Sequence, residues 1–233
     1  MTELYNTILY KPLFNAVIFL YNIIPGQDFG LAVIVLTVLI RLAFFPLSVK
    51  TTVSQRALNK LNPKLKELKE KHKNDAQAQS AAIMQLYKEH NVNPLAGCLP
   101  LLIQLPILIA LYKVFGSGFK PESLTMLYGF ISNPGNIHPI SLGFLDITAR
   151  SIVLAITTGV FQFFQLKQNA SLTKAQESGQ KEVQAINKQM LYFFPVMIII
   201  IGWNLPAGLL LYWLTTTLFS LGEQTYIKLR YKD

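Results

Sequence analysis

Residues 29–49 read FGLAVIVLTVLIRLAFFPLSV, an apolar run interrupted by one cation, Arg41. The run is long enough to cross the roughly 30 Å hydrocarbon core of a bilayer. A charge carried into the membrane on a helix costs between ~2.5 and more than ~10 kcal/mol. The rest of the chain must supply whatever offsets that cost, so this run sets both the fold class and the search for function.

Hydrophobic residues make up 52% of the 233 and charged residues 14%. The apolar residues are gathered into blocks, as in a helical membrane protein. A second block, 95–115 (LAGCLPLLIQLPILIALYKVF), has Gln104 between Pro100 and Pro106. Membrane helices tolerate such prolines where neighbours satisfy the freed backbone groups. The third block, 147–166, carries Thr157, Thr158, Gln162 and Gln165. The fourth, 190–203, amounts to only ~21 Å of helix, and Asn204-Leu205-Pro206 turns it sharply into the fifth, 207–221. Residues 1–27 place Leu4, Ile8, Leu13, Val17 and Leu20 on one side and Asn6, Lys11, Asn15 and Asn22 mostly on the other. That pattern predicts an amphipathic helix lying in the membrane interface. The start, MTELYNTILYK, lacks the basic and apolar regions of a signal peptide, so no cleaved leader is expected. A loop over 116–139 carries a short apolar piece, 124–131, suited to the interface. The polar stretch 50–93 is rich in Lys, Gln, Ala and Leu and predicts a helical hairpin, 54–72 and 76–90, broken at Lys73-Asn74-Asp75. Its apolar seam is thin, so a mobile hairpin is expected. The predicted architecture is a single all-α polytopic domain over 1–233, with five spans, an interfacial N-terminal helix and a cytoplasmic hairpin.

The net charge of +9 could suggest nucleic acid, but the basic residues fall in the loops between apolar blocks. Sixteen Lys and Arg lie in 50–93, 167–188 and the tail, against four on the opposite side. The positive-inside rule then places the N-terminus outside, with the hairpin, connector and C-terminus in the cytoplasm of a plasma-membrane protein. DNA is not an expected partner. Cys98 is the single cysteine, so no internal disulfide framework is possible.

Catalytic signatures are lacking. His72, His90 and His138 stand in polar stretches with no metal-ligand spacing, and there is no nucleotide-binding loop or nucleophile elbow. A non-enzyme without cofactor or metal is expected. The spans hold no central carboxylate, with Asp28 and Asp146 at outer edges and Glu223 at an inner end, which disfavours an ion-coupled transporter. The polar residues left are Thr37 and Arg41, Gln104, Thr158, Gln162 and Gln165, and Thr215–Thr217. If they converge, they form a hydrophilic, cationic cavity. Each also has a plainer reading: a threonine bonded to its own helix backbone, a glutamine joining helices, an arginine snorkelling to the interface. Snorkelling from Arg41 would have to cover ~12 Å. Trp203 at an outer edge suits the aromatic belt.

Three blocks then resemble the YidC/Oxa/Alb family of membrane protein insertases. They are Ile40-Arg41-Leu42 with Pro46; Asn93-Pro94-Leu95-Ala96-Gly97-Cys98-Leu99-Pro100 running on to Gln104-Leu105-Pro106; and Pro206-Ala207-Gly208-Leu209-Leu210-Leu211-Tyr212-Trp213. Their order, their spacing and the hairpin between the first two carry the resemblance over nearly the whole chain. It implies a five-span core whose arginine lines a groove open to the cytoplasm and lipid but closed outwards. Arg41 matches that arginine, and Gln104 and Trp213 match groove positions. The implied partners are newly made membrane proteins and the lipid bilayer, with the ribosome, targeting factors and a translocon as further candidates. The chain lacks the large extracytoplasmic domain of many Gram-negative members and the long mitochondrial tail, so a minimal bacterial form is expected. The residues by themselves leave open an anion or small-solute transporter using Arg41, and a scaffold that only holds partner helices.

Overall fold

The computed structural model describes residues 2–93, 99–117, 120–172 and 181–230. Residues 94–98 of the second resemblance block, with Cys98, lie outside the described residues, as do 173–180 of the basic connector and 231–233 of the tail.

The chain is mostly helical. After α1 (Thr2–Tyr5), a π-helical turn (Asn6–Tyr10) leads into α2 (Lys11–Ile23), with Pro12 in its first turn, where a missing N–H is harmless. The long α3 (Phe29–Lys60) runs through Pro46. The first predicted span is therefore only the leading part of this helix, and the first hairpin helix, expected over 54–72, is divided between the end of α3 and α4. Nothing in 50–60 stops a helix, and the break comes at Leu61, where Asn62-Pro63 starts α4 (Asn62–Lys71). Helix α5 (Ala76–Glu89) packs on α4 and is capped by Asp75, which accepts from the amides of Gln77 and Ala78. Then come α6 (Leu99–Ser117), a 3₁₀ turn (Pro121–Met126), the two-stranded hairpin β1 (Ile140–Ser141) and β2 (Leu145–Asp146), α7 (Ile152–Leu172), α8 (Lys181–Gly202) and α9 (Ala207–Arg230). The third block becomes helical at Ile152 rather than at 147. Asp146 accepts from the amides of Thr148 and Ala149 and closes a turn, and the Ser151 hydroxyl caps the amide of Leu154.

Helix α9 is the hub. It packs against α7, α3 and α6, and α7 also packs on α8. Gly208 lets α6 approach closely, since a Cβ there would enter the Phe115 ring. Other helices turn apolar stripes outward: Leu102, Leu105, Ile109 and Tyr112 on α6; Val153, Ile156, Val160 and Phe164 on α7; Phe193, Val196 and Ile200 on α8. These residues recur every three or four positions, and such contiguous exposed apolar faces suit hydrocarbon rather than water. Among the described residues, one helical stretch, Phe29–Leu58, is long and apolar enough to cross a membrane, while Leu102–Gly116 and Leu191–Gly202 are shorter.

At the N-terminal end of α3 the packing is dense. Phe14, Val17, Ile18 and Tyr21 of α2 are fully buried with Phe29, Ala32 and Val33 of α3 and with Leu111, Val114 and Phe115 of α6. Asn15 was expected on the polar side of the first helix, yet it is buried. Its side chain donates to the carbonyls of Lys11 (2.8 Å) and Met126 (3.2 Å) and accepts from the Tyr128 amide (2.7 Å). Asn22 donates to the Ser132 carbonyl, and the Tyr21 hydroxyl accepts from the His138 amide. These side chains satisfy backbone groups of 126–138 that no helix or sheet would satisfy. The same bonds draw the apolar piece at 124–131 inward, so Leu124 and Ile131 join the core.

Asp28 fastens the β-hairpin to the start of α3. Its carboxylate accepts from the amides of Leu31 (2.9 Å) and Leu142 (2.6 Å) and from the Ser141 hydroxyl. Leu142 sits at φ +54° beside Gly143 at +81°, a conformation that disfavours a residue with a side chain by ~1–2 kcal/mol. The bond from Leu142 to Asp28 offsets that cost. Gly30 leaves room for the arrangement, because a Cβ there would collide with Ser141. Burial works to raise the Asp28 pKa, but the bonds from Ser141, Leu142, Leu31 and Gly30 outweigh it and hold the carboxyl below its ordinary value. A lowered folded-state pKa contributes stability that is full above the unfolded value and is lost as pH falls through the folded one. Asp28→Asn should therefore destabilise the detergent-solubilised protein by about 1 kcal/mol near neutral pH. The gap between the two melting curves should shrink below about pH 4, and a gap independent of pH would contradict the assignment.

Candidate functional site

Below the dense end, the facing residues of α3, α6 and α9 change from apolar to polar. Helix α3 carries Thr37, Arg41, Ser48 and Thr51 at helical spacing, so they form one stripe. With Ile40, Phe44 and Leu47 they make one wall of a half-enclosed pocket whose empty space, open mouth included, is about 510 Å³. Ile103, Gln104 and Ile107 of α6 and Tyr212 and Thr216 of α9 line the rest.

Arg41 is the only charged group in this lining. It is partly buried, and its Nη2 donates to the Thr216 carbonyl at 3.2 Å while the guanidinium lies 5.6 Å from the Phe219 ring centroid. A guanidinium has five N–H donors, and Arg41 Nε is buried without a hydrogen-bond partner among the described residues. One neutral carbonyl and one ring face orient the cation without neutralising it. The pocket therefore carries a positive charge that none of its lining residues neutralises. Across it, Gln104 Nε2 donates to the Tyr212 hydroxyl at 2.6 Å, joining α6 to α9. Thr37 is buried and spends its proton on its own helix, at the Val33 carbonyl (2.6 Å).

The remaining predicted residues meet elsewhere. Gln162 and Trp213 lie between α7 and α9, outside the lining of the Arg41 pocket. Trp213 Nε1 donates to Gln162 Oε1 at 3.2 Å, and Gln162 Nε2 donates to Gln165 Oε1 at 2.7 Å. Thr217 Oγ1 lies 3.3 Å from Gln162 Oε1 and 2.9 Å from the Trp213 carbonyl, and its single proton serves one at a time. Thr158 is buried one turn before Gln162, its hydroxyl unpartnered among the described residues. Gln168 continues the polar seam by donating to Thr225. Two polar clusters thus share α9, one around Arg41 and one around Gln162. Sequence reasoning named Thr216 among the converging polar residues but missed Ser48 and Thr51 as lining residues and gave Tyr212 no role. Ser48 lies within the 29–49 run and Thr51 just beyond it, both in register with Thr37 and Arg41 on one helix face, and Tyr212 lies one turn before Thr216.

No group of three or more His, Cys, Asp or Glu among the described residues is placed to hold a metal ion.

A helical bundle with apolar stripes on its exterior and a cation in an interior pocket has the make-up of a helical membrane protein. The family described as 60Kd inner membrane protein matches residues 19–233, and the chain belongs to that family. It is 36% identical over 200 residues to the membrane protein insertase YidC of Fusobacterium nucleatum, covering 86% of each chain. The insertase YidC of Geotalea daltonii is 35% identical over 221 residues, which are 94% of this chain but 37% of that longer protein. A crystal structure of an active YidC insertase with its first transmembrane domain resolved matches with a TM-score of 0.58 at 27% identity, over 91% of this chain and 45% of that one.

The Gln162 cluster gives a stability test. Gln162→Leu removes the acceptor for Trp213 and the donor to Gln165, leaving buried polar groups unmatched. It should lower resistance to denaturant by about 2 kcal/mol. Gln165→Leu removes one bond and should cost about half as much. Equal, negligible effects would show that the cluster does not join α7 to α9.

Proposed function

We propose that the chain is a membrane protein insertase that passes hydrophilic segments of newly made membrane proteins from the cytoplasm into the bilayer through the Arg41 pocket. The observation that carries this reading is a cation in a half-enclosed pocket, held by one neutral carbonyl and facing open space. In this reading α3, α6, α7, α8 and α9 are the five spans, α2 lies at the outer interface, and the α4–α5 hairpin receives substrates or targeting factors in the cytoplasm. The surplus of Lys and Arg in 50–93 and 167–188 supports that orientation. The dense packing around Tyr21, Phe29 and Phe115 closes the outer end, while Ser48 and Thr51 carry the polar stripe towards the cytoplasm.

An acidic residue in the translocated segment pairs transiently with Arg41. In surroundings of low dielectric the attraction is several-fold stronger than in water, ~4 kcal/mol at 4 Å for an effective dielectric of ~20. Gln104, Tyr212 and Thr216 offer neutral hydrogen-bonding groups beside the cation. The apolar stretch of α8, Leu191–Gly202, is short enough to thin the surrounding bilayer and shorten the crossing. Burial of the substrate's own apolar helix and the membrane potential drive the step, with no role for ATP.

Reconstituted vesicles containing Arg41→Glu should insert a substrate with an acidic translocated tail at least tenfold less than wild type, with Arg41→Lys intermediate. Full insertion by Arg41→Glu would exclude the electrostatic step. A photocrosslinker at Thr37 separates the alternatives. It should capture diverse nascent chains, whereas one fixed partner would indicate a scaffold. Solute uptake by sealed vesicles without any protein substrate would indicate a transporter.

A further inference from the structure

Glu223 has no part in the site as described, yet it is the one buried carboxylate among the residues whose side chains are described, 7% exposed. Its Oε1 is enclosed without a hydrogen-bond partner among those residues. Uncompensated, a buried carboxylate is costly by several kcal/mol, so a nearby positive charge is expected. Glu223 follows Thr216 by two turns of α9, a rise of about 10 Å. Thr216 and Ser220, also buried, share its helix face. Side chains on a helix lean towards its N-terminus, so the carboxylate reaches back over the turn containing Phe219. Phe219 is the ring on which the Arg41 guanidinium rests. No direct ion pair joins Arg41 to Glu223 among the described residues; the guanidinium rests on Phe219, one turn before Glu223 on α9, so the carboxylate's field reaches it.

We infer that Glu223 is a resident counter-charge that weakens the hold of Arg41 on incoming carboxylates, so that acidic peptide segments are bound in the pocket and then released. This rests on the insertase reading given above. An arginine alone in such surroundings would trap an acidic segment, because the attraction that recruits it also opposes its departure. A fixed negative charge behind the cation lowers both the depth of that trap and the tolerance for a second acid. Glu223 thereby acts through Arg41 as a positioning residue, and it favours segments bearing one carboxylate over segments bearing two.

The test uses vesicles containing the full chain, a photocrosslinker at Ser48, and a model single-span substrate whose translocated tail carries none, one or two aspartates. The readout is the crosslink yield of each acidic tail divided by that of the neutral tail. Glu223→Gln, which is isosteric, should raise this ratio about tenfold for the two-aspartate tail and less for the one-aspartate tail. Glu223→Asp keeps the charge but retracts it by one methylene, so its ratio should stay within about threefold of wild type. If Glu223→Gln does not accumulate, Glu223→Met, which also removes the charge, takes its place with the same expected rise. Ratios equal to wild type in every variant recovered, or a rise independent of tail charge, would overturn the inference. If wild type captures no tail above protein-free vesicles, the insertase reading itself fails and the inference falls with it.

Discussion

A guanidinium among apolar helices is tolerable only with polar surroundings, and the arrangement of this protein follows from supplying them to Arg41. Helix α9 does most of it. It places the Thr216 carbonyl and the Phe219 ring against the cation and the Tyr212 hydroxyl across the pocket. To do so, α9 must be buried between α3, α6 and α7 while carrying polar residues along much of its length. Ordinary apolar packing would leave those residues unmatched. The Gln162 cluster resolves this on the α7 side, using side-chain amides to satisfy Trp213 and Gln165. Helix α9 thus carries one polar seam whose amides are joined to one another and another that surrounds a charge. Under the proposed function, the second is where a substrate's own polar groups complete the set.

The two ends of the bundle are built for different tasks. Around Phe29 and Phe115 the side chains are packed without exposure, and Asn15, Tyr21 and Asp28 fasten the irregular segments between α6 and α7 over that end. Further along α3 the inward residues become Thr37, Arg41, Ser48 and Thr51, and the core gives way to the pocket. Under the proposed orientation this gradient makes a seal on the outer side and a polar entrance on the cytoplasmic side. A resident carboxylate at Glu223 would then set how long an acidic segment remains.

Much of this was legible in the sequence because membrane helices announce themselves by composition. The apolar block at 29–49, its single arginine and the turn at Asn204-Leu205-Pro206 all point to elements that the structure contains. Element ends were harder to read. Helix α3 continues to Lys60 because residues 50–60 favour a helix whether or not they are apolar, and it ends where Asn62-Pro63 starts α4. The site was legible as a set of residue types but not as a geometry. Thr37, Arg41 and Gln104 meet in one pocket, whereas Gln162 and Trp213 meet on another face of α9, and no spacing rule connects residues on different helices. Asn15 defeated the amphipathic reading because its partners, the backbone groups of Met126 and Tyr128, lie more than a hundred residues away. The hairpin at 140–146 was invisible for the same reason, since its conformation depends on Asp28.

The central claim is that the stripe through Arg41 is wet and reached from the cytoplasmic side alone. In a chain with Cys98→Ser, single cysteines at Ser48, Thr37 and Phe29 can be probed in sealed, oriented vesicles with a membrane-impermeant maleimide. The account predicts fast labelling of Ser48→Cys and slower labelling of Thr37→Cys when the reagent is on the cytoplasmic side, and no labelling of Phe29→Cys. Reagent on the outer side should label none of the three. Labelling of Thr37→Cys from the outside, or protection of Ser48→Cys from both sides, would contradict it.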